Sequence, residues 1–187
     1  MKKLIVPILM VCFALPAFPQ QIYKTVGTSY FTFEIPATWS GEISAGVDVP
    51  VGTNAIARAI SCYYSFDNGD KASFETRTIV SYKGITPDVI YVDQIAETGP
   101  LTYEIANLSK DYMQIDGRPA LVFSRDFKVG PQREFERERG FVIVDPALPD
   151  VVYIMSLKGS PEVVDSFSEV FDHVTATFKF IPSIALS

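Results

Sequence analysis

The sequence predicts an α+β fold, a mainly antiparallel β-sheet with helices packed on its faces. Several segments alternate apolar and polar residues, as half-buried strands do. Three short runs, Ala120–Phe123, Phe141–Val144 and Val151–Met155, are apolar on both faces and require a covering layer on each side. Two segments open with helix-start signals, Thr86-Pro87-Asp88 and Ser160-Pro161-Glu162. The 187 residues suit one domain, and 14 Phe and nine Tyr against one Trp fit a sheet-rich core.

Residues 1–20 differ in kind from the rest. Lys2 and Lys3 precede the apolar run Leu4–Ala14, the pattern of a secretory signal peptide, with cleavage expected near Ala17 to Gln21. The run is too short to span a bilayer, so no transmembrane anchor is expected after cleavage. Val11 stands where a lipidated Cys12 would want a small residue, and lipidation is set aside. The expected organisation is a signal peptide over 1–20 and a single domain over 21–187. Two of the 16 basic residues lie in the leader. The remainder carries 14 against 22 acidic residues, a formal net charge of −8. That balance disfavours nucleic acid and anionic membranes. Only Cys62 remains, so stability must come from the core.

In chain order, Ile22–Gly27 and Tyr30–Glu34 read as two short strands joined near Gly27-Thr28. Phe31, Phe33 and Ile35 form the apolar face of the second, which Pro36 stops. Ser40–Thr53 reads as loop, with Gly41, Gly46, Pro50 and Gly52. Ile56–Phe66 alternates as a strand with Cys62 on its core side. Asp67-Asn68-Gly69-Asp70 is a turn, and Phe74–Tyr82 returns beside it. From Thr86 a helix is expected with Val89, Val92, Ile95 and Ala96 on one face, ended by Gly99-Pro100. Leu101–Ile115 is a weakly alternating strand with a bend or bulge at 107–110. Asp116-Gly117 is a hairpin turn and Pro119–Lys128 the returning strand. The last helix places Val163, Phe167, Val170, Phe171 and Val174 in one stripe.

Reactive residues are few. His173, the sole histidine, indexes to the edge of the polar face of the last helix, where a helix C-terminus favours it. No GxSxG elbow accompanies it. Burial expected at Cys62 suppresses its thiolate. The Asp67–Asp70 oxygens lack the spacing and distal Glu of a calcium loop. No catalytic residue, metal site or cofactor is assigned.

The run Arg133–Arg139 remains. As a strand it places Arg133, Phe135, Arg137 and Arg139 on one side and Glu134, Glu136 and Glu138 on the other. Two readings stay open. The segment is a solvated strand end projecting past the core, guarding against edge pairing. Or the arginine face around Phe135 docks an acidic or aromatic partner. The ordinary use of charge on extended strands favours the first.

The segments FTFEIPATW (31–39), DGRPALVF (116–123), VVYIMSL (151–157) and FDHVTATFKF (171–180) resemble the PsbP-like family. That family includes the photosystem II extrinsic protein, bacterial DcrB-like envelope proteins and a Ran-binding import factor. The resemblance covers most of the chain beyond the leader and consists of hydrophobic spacing and turns. It implies an α/β/α sandwich and a protein-binding role, with no ligand site to carry across. The leader argues against nuclear transport. The expected function is therefore an exported, non-enzymatic envelope domain that binds an envelope protein. The alternative is a periplasmic small-molecule or lipid carrier with a pocket between sheet and helix.

Overall fold

A computed structural model describes residues 21–28, 30–42, 49–51, 54–65, 71–81, 86–96, 104–131 and 133–181. For 41–42, 49–51, 54–63, 81 and 93 it describes the backbone alone. The expected leader, the Asp67–Asp70 turn, the Gly99-Pro100 stop and the side chain of Cys62 lie outside the described residues.

The strands are β1 (Tyr23–Gly27), β2 (Phe31–Pro36), β3 (Ser40–Glu42), β4 (Val49–Val51), β5 (Asn54–Ser65) and β6 (Lys71–Ser81). Helix α1 (Pro87–Tyr91) runs into a π-helical turn (Val92–Ala96). Then come β7 (Glu104–Ile115), β8 (Arg118–Lys128), β9 (Glu136–Val144), β10 (Val151–Gly159), α2 (Pro161–Ser166), α3 (Ser168–Thr177) and β11 (Lys179–Phe180). An eight-stranded sheet runs β3-β5-β6-β10-β9-β8-β7, with β4 also on β5, and a three-stranded sheet runs β1-β2-β11. The paired strands are antiparallel. The α+β class read from the sequence is the class observed.

Alternation along the central strands builds two cores. Phe141, Ile143, Tyr153 and Met155 pack on one face, against Phe31, Phe33 and Ile35 of β2, Trp39, and Phe171, Val174 and Phe178. Val142, Val152, Ile154 and Leu121 pack on the other, against Ile90, Tyr91 and Ile95. Each such side chain fully buried contributes about 1.5–3 kcal/mol. The two-faced runs predicted from sequence are thus the centre of the sheet, with α2, α3 and the small sheet on one side and α1 with its π-turn on the other.

Three expectations need correction. The stretch read as loop after Trp39 includes β3 and β4, both paired to β5. Three-residue strands rich in Gly and Pro are too short to show alternation. Next, α1 and its π-turn bury Ile90, Tyr91 and Ile95 and leave Val89 and Val92 exposed. The π-turn changes the hydrogen-bond spacing and so rotates the face expected from a 3.6-residue repeat. Finally, the last helix breaks at Phe167 (φ −104°, ψ 19°). The break seats the Phe167 ring on Trp39 and Tyr64, at 5.1 and 5.5 Å. Ser160 has the extended cap backbone, but its hydroxyl makes no capping bond, whereas Thr86 does accept from the Val89 amide at 3.3 Å.

Other local signals are realised as read. Asp116 and Gly117 both take positive φ, 50° and 71°, as a two-residue hairpin turn requires. The β7–β8 register slips between Ala106 and Ser109, with Asn107 at φ 48°. Gly140, in mid-β9, is required by close approach. A Cβ there would lie 2.5 Å from the Met155 carbonyl oxygen and 2.6 Å from Phe123 Cζ. Gly140→Ala should therefore destabilise the fold by about 2–3 kcal/mol, read by thermal unfolding as a fall of roughly 5–10 °C. An unchanged midpoint would contradict this packing.

Candidate functional site

From Glu136 onward the charged run does not overhang the sheet. β9 pairs with β8 from Glu136↔Phe127 onward and with β10 from Arg137↔Gly159 onward, so both neighbours flank its charged end. For Glu136–Arg139 the expectation of a solvated strand end is therefore overturned, whereas Arg133 and Glu134 stand exposed ahead of the strand as expected. Alternation is kept: Glu138 projects to the α1 side, and Arg137 and Arg139 to the α2–α3 side.

Glu138 is fully buried. Its Oε2 accepts from Arg125 of β8 (Nη2 at 2.6 Å, Nε at 2.8 Å), and its Oε1 from Arg77 Nη2 of β6 at 2.7 Å. Lys158 Nζ of β10 lies 3.6 Å from Oε1 and 3.0 Å from Glu75. Burial works to raise the Glu138 carboxyl, but Arg77, Lys158 and Arg125 together hold it down at about 2. Arg125, also buried, gives its Nη1 to the Ile95 carbonyl at 2.6 Å, tying the π-turn to the cluster. Arg77 Nε and Ser156 Oγ are buried without a hydrogen bond of normal geometry, although Ser156 lies near enough to favour the charged form of Glu138.

On the opposite face Arg137 grips Asp126 through two bonds, Nε–Oδ1 at 2.7 Å and Nη2–Oδ2 at 3.0 Å. Its Nη1 reaches both oxygens of Asp165 on α2 at 2.8 Å. The Arg137 hydrogen bonds hold the Asp126 carboxyl low against its burial, and Asn107 Nδ2 adds a bond at 2.7 Å. Asp126 in turn raises the Arg137 guanidinium. Arg139 gives Nη2 to Asp172 of α3 at 2.9 Å and lies 4.4 Å over the Phe171 ring. Two of the four residues proposed from sequence as a partner surface thus clamp the helices to the sheet. Arg133 is exposed before the strand begins, and Phe135 sits half-buried under Lys128 Nζ at 4.1 Å.

His173 stacks on Tyr23 (3.6 Å between centroids), with Nε2 at 2.9 Å from Glu34 Oε2, so it joins α3 to the β1–β2 hairpin. Sequence reasoning missed Asp145, which is buried and accepts from Tyr153 Oη at 2.8 Å and from the Ala147 and Leu148 amides. Burial, then Asp145, pushes the Tyr153 phenol up. The signal was present, since an Asp opening a proline-rich turn commonly caps its own loop. Among the described residues no group of three or more His, Cys, Asp or Glu side chains is placed to hold a metal ion. Nor, among them, is any helix long and apolar enough to cross a membrane.

No family model and no curated protein matches the chain. Among solved structures, a protein of unknown function from Pseudomonas aeruginosa aligns over 80% of this chain and 91% of its own, at 15% identity and a TM-score of 0.47.

Replacing the buried carboxylate by an amide keeps one acceptor oxygen, turns an NH2 toward the other arginine and leaves Arg77 and Arg125 without their counter-charge. Glu138→Gln should cost about 3–5 kcal/mol in chemical denaturation, whereas Glu134→Gln, at an exposed site, should cost under about 0.5. Because the folded carboxyl is depressed from 4.5 to about 2, its stabilisation is complete above about pH 4.5 and is lost as pH falls toward 2. It amounts to the order of 3 kcal/mol. Acid unfolding that is identical in Glu138→Gln and wild type would contradict the cluster.

Proposed function

We propose that the chain is an exported, non-enzymatic envelope domain, of the PsbP-like and DcrB-like kind, that binds a protein partner. The leader pattern supports export. Helical segments against both faces of the large sheet support the sandwich arrangement. The partner reading rests on strand β7. It is the last strand of the sheet, and its eight residues from Asn107 to Gln114 are all exposed, so both of its faces are open. Leu108, Tyr112 and Met113 stand out there at 41%, 55% and 40% exposure. Val89 of α1 and Val92 of the π-turn adjoin the Tyr112 side of the strand, since Tyr112 Oη bonds Asp88 at 2.6 Å. Aromatic and Met side chains are enriched at protein interfaces.

The partner meets side chains rather than adding a strand. Asp111 Oδ1 occupies the Tyr112 amide at 2.8 Å, and the bulge at Asn107 bends the edge. The carrier alternative has less support. Two grooves formed by described residues, of about 350 and 360 Å³, are both open to solvent, and a carrier buries most of its ligand.

A photo-crosslinking residue at Met113 or Val92, in cells making the chain with its own leader, should give the same discrete protein adduct, absent when placed at the exposed Glu162. Lipid adducts, or none at either site, would overturn the reading. The chain recovered from the envelope should begin between residues 18 and 22; an intact Met1 in the cytosolic fraction would overturn export.

A further inference from the structure

We propose that the groove on the α3 side of β7, β8 and β9 accepts a carboxylate, supplied by an Asp or Glu side chain of the partner. Ser109, Ser124 and Arg139 stand directly opposite one another across three neighbouring strands. They therefore share a face and form a row about 10 Å long. All three line one groove of about 360 Å³, together with Lys110, Asp111, Val122 and Phe123. Arg139 is held from behind by Phe171 and spends only Nη2 on Asp172, which is itself exposed. Its Nε and Nη1, and the hydroxyls of Ser109 and Ser124, have no acceptor among the described residues.

A fixed guanidinium beside two hydroxyls without a partner among the described residues matches the planar, bidentate demand of a carboxylate. The groove's other charges set the valence. Lys110 turns its ammonium to Asp88 on the far face, at 3.0 Å, so of the two cations lining the groove Arg139 is the one that faces the row. Asp172 already pairs with Arg139 and Asp111 lines the same groove, so the site tolerates little further negative charge, which favours a monoanionic carboxylate over a dianionic phosphate. Ser109 and Asp111 belong to β7, so the groove continues the surface assigned above to the partner. The inference rests on that reading for the source of the carboxylate, and its chemistry can be tested without the partner.

The test is an NMR titration of the ¹⁵N-labelled chain lacking residues 1–20, using acetyl-Gly-Glu-Gly-amide, its Gln counterpart and inorganic phosphate. The Glu peptide should give saturable shifts at the Ser109, Ser124 and Arg139 amides and at Arg139 Nε, with the Gln peptide binding roughly fivefold or more weakly. Ser109→Ala with Ser124→Ala, at sites that make no side-chain bonds among the described residues, should weaken the Glu peptide at least about threefold while the rest of the spectrum is unmoved. Equal shifts from both peptides, shifts elsewhere, or phosphate binding with the Glu peptide silent would overturn the proposal. A responding groove combined with no protein crosslink at Met113 would retain the carboxylate site and remove the partner as its source.

Discussion

A carboxylate buried without exposed surface has to be met by cations, and in this chain four adjacent strands supply both sides of the bargain. Glu138 on β9 draws Arg125 from β8, Lys158 from β10 and Arg77 from β6. A slip of one residue in any of these strands would turn its charged group to the other face. The cluster therefore fixes register at the end of the sheet where the apolar runs have stopped. Arg125 extends the constraint outward by holding the Ile95 carbonyl, so the position of the π-turn depends on the same carboxylate.

The two faces of β9 do different work with the same alternation. Toward α1 the charges are sequestered and add specificity more than net stability, because desolvating them costs several kcal/mol per ion. Toward α2 and α3, Arg137 and Arg139 reach Asp165 and Asp172 at the helix surfaces. Those outer carboxylates are about two-thirds exposed, so each pair contributes little alone and serves chiefly to orient the helices. With Arg137 engaged on both sides and Arg139 held through Nη2 alone, the surface left open for recognition centres on β7 and on the groove between it and Arg139.

Much of this was legible in the sequence where the signal is local. The two-faced runs in β8, β9 and β10, the Asp116-Gly117 turn, the slip at Asn107 and the Thr86 cap each depend on residues within a few positions of one another. The failures share a cause as well. The π-turn and the break at Phe167 answer to packing partners, Arg125 in one case and Trp39 with Tyr64 in the other. Neither partner is near in sequence. The Arg/Glu run reads as solvated in the sequence because its counter-ions are 11 to 61 residues away. The clue that existed was reciprocal: Arg125-Asp126 near the end of β8 places opposite charges on opposite faces, as Arg137-Glu138 does on β9.

Native-state hydrogen exchange resolved by residue tests the central claim most directly, because it separates a braced strand from a projecting one. The amides of Arg137, Glu138 and Arg139 should exchange only through global unfolding, as slowly as those of Phe141–Ile143, while the outward-facing amides of Lys110 and Gln114 on β7 exchange far faster. Rapid local exchange at Arg137–Arg139, with protection beginning only at Phe141, would contradict the account.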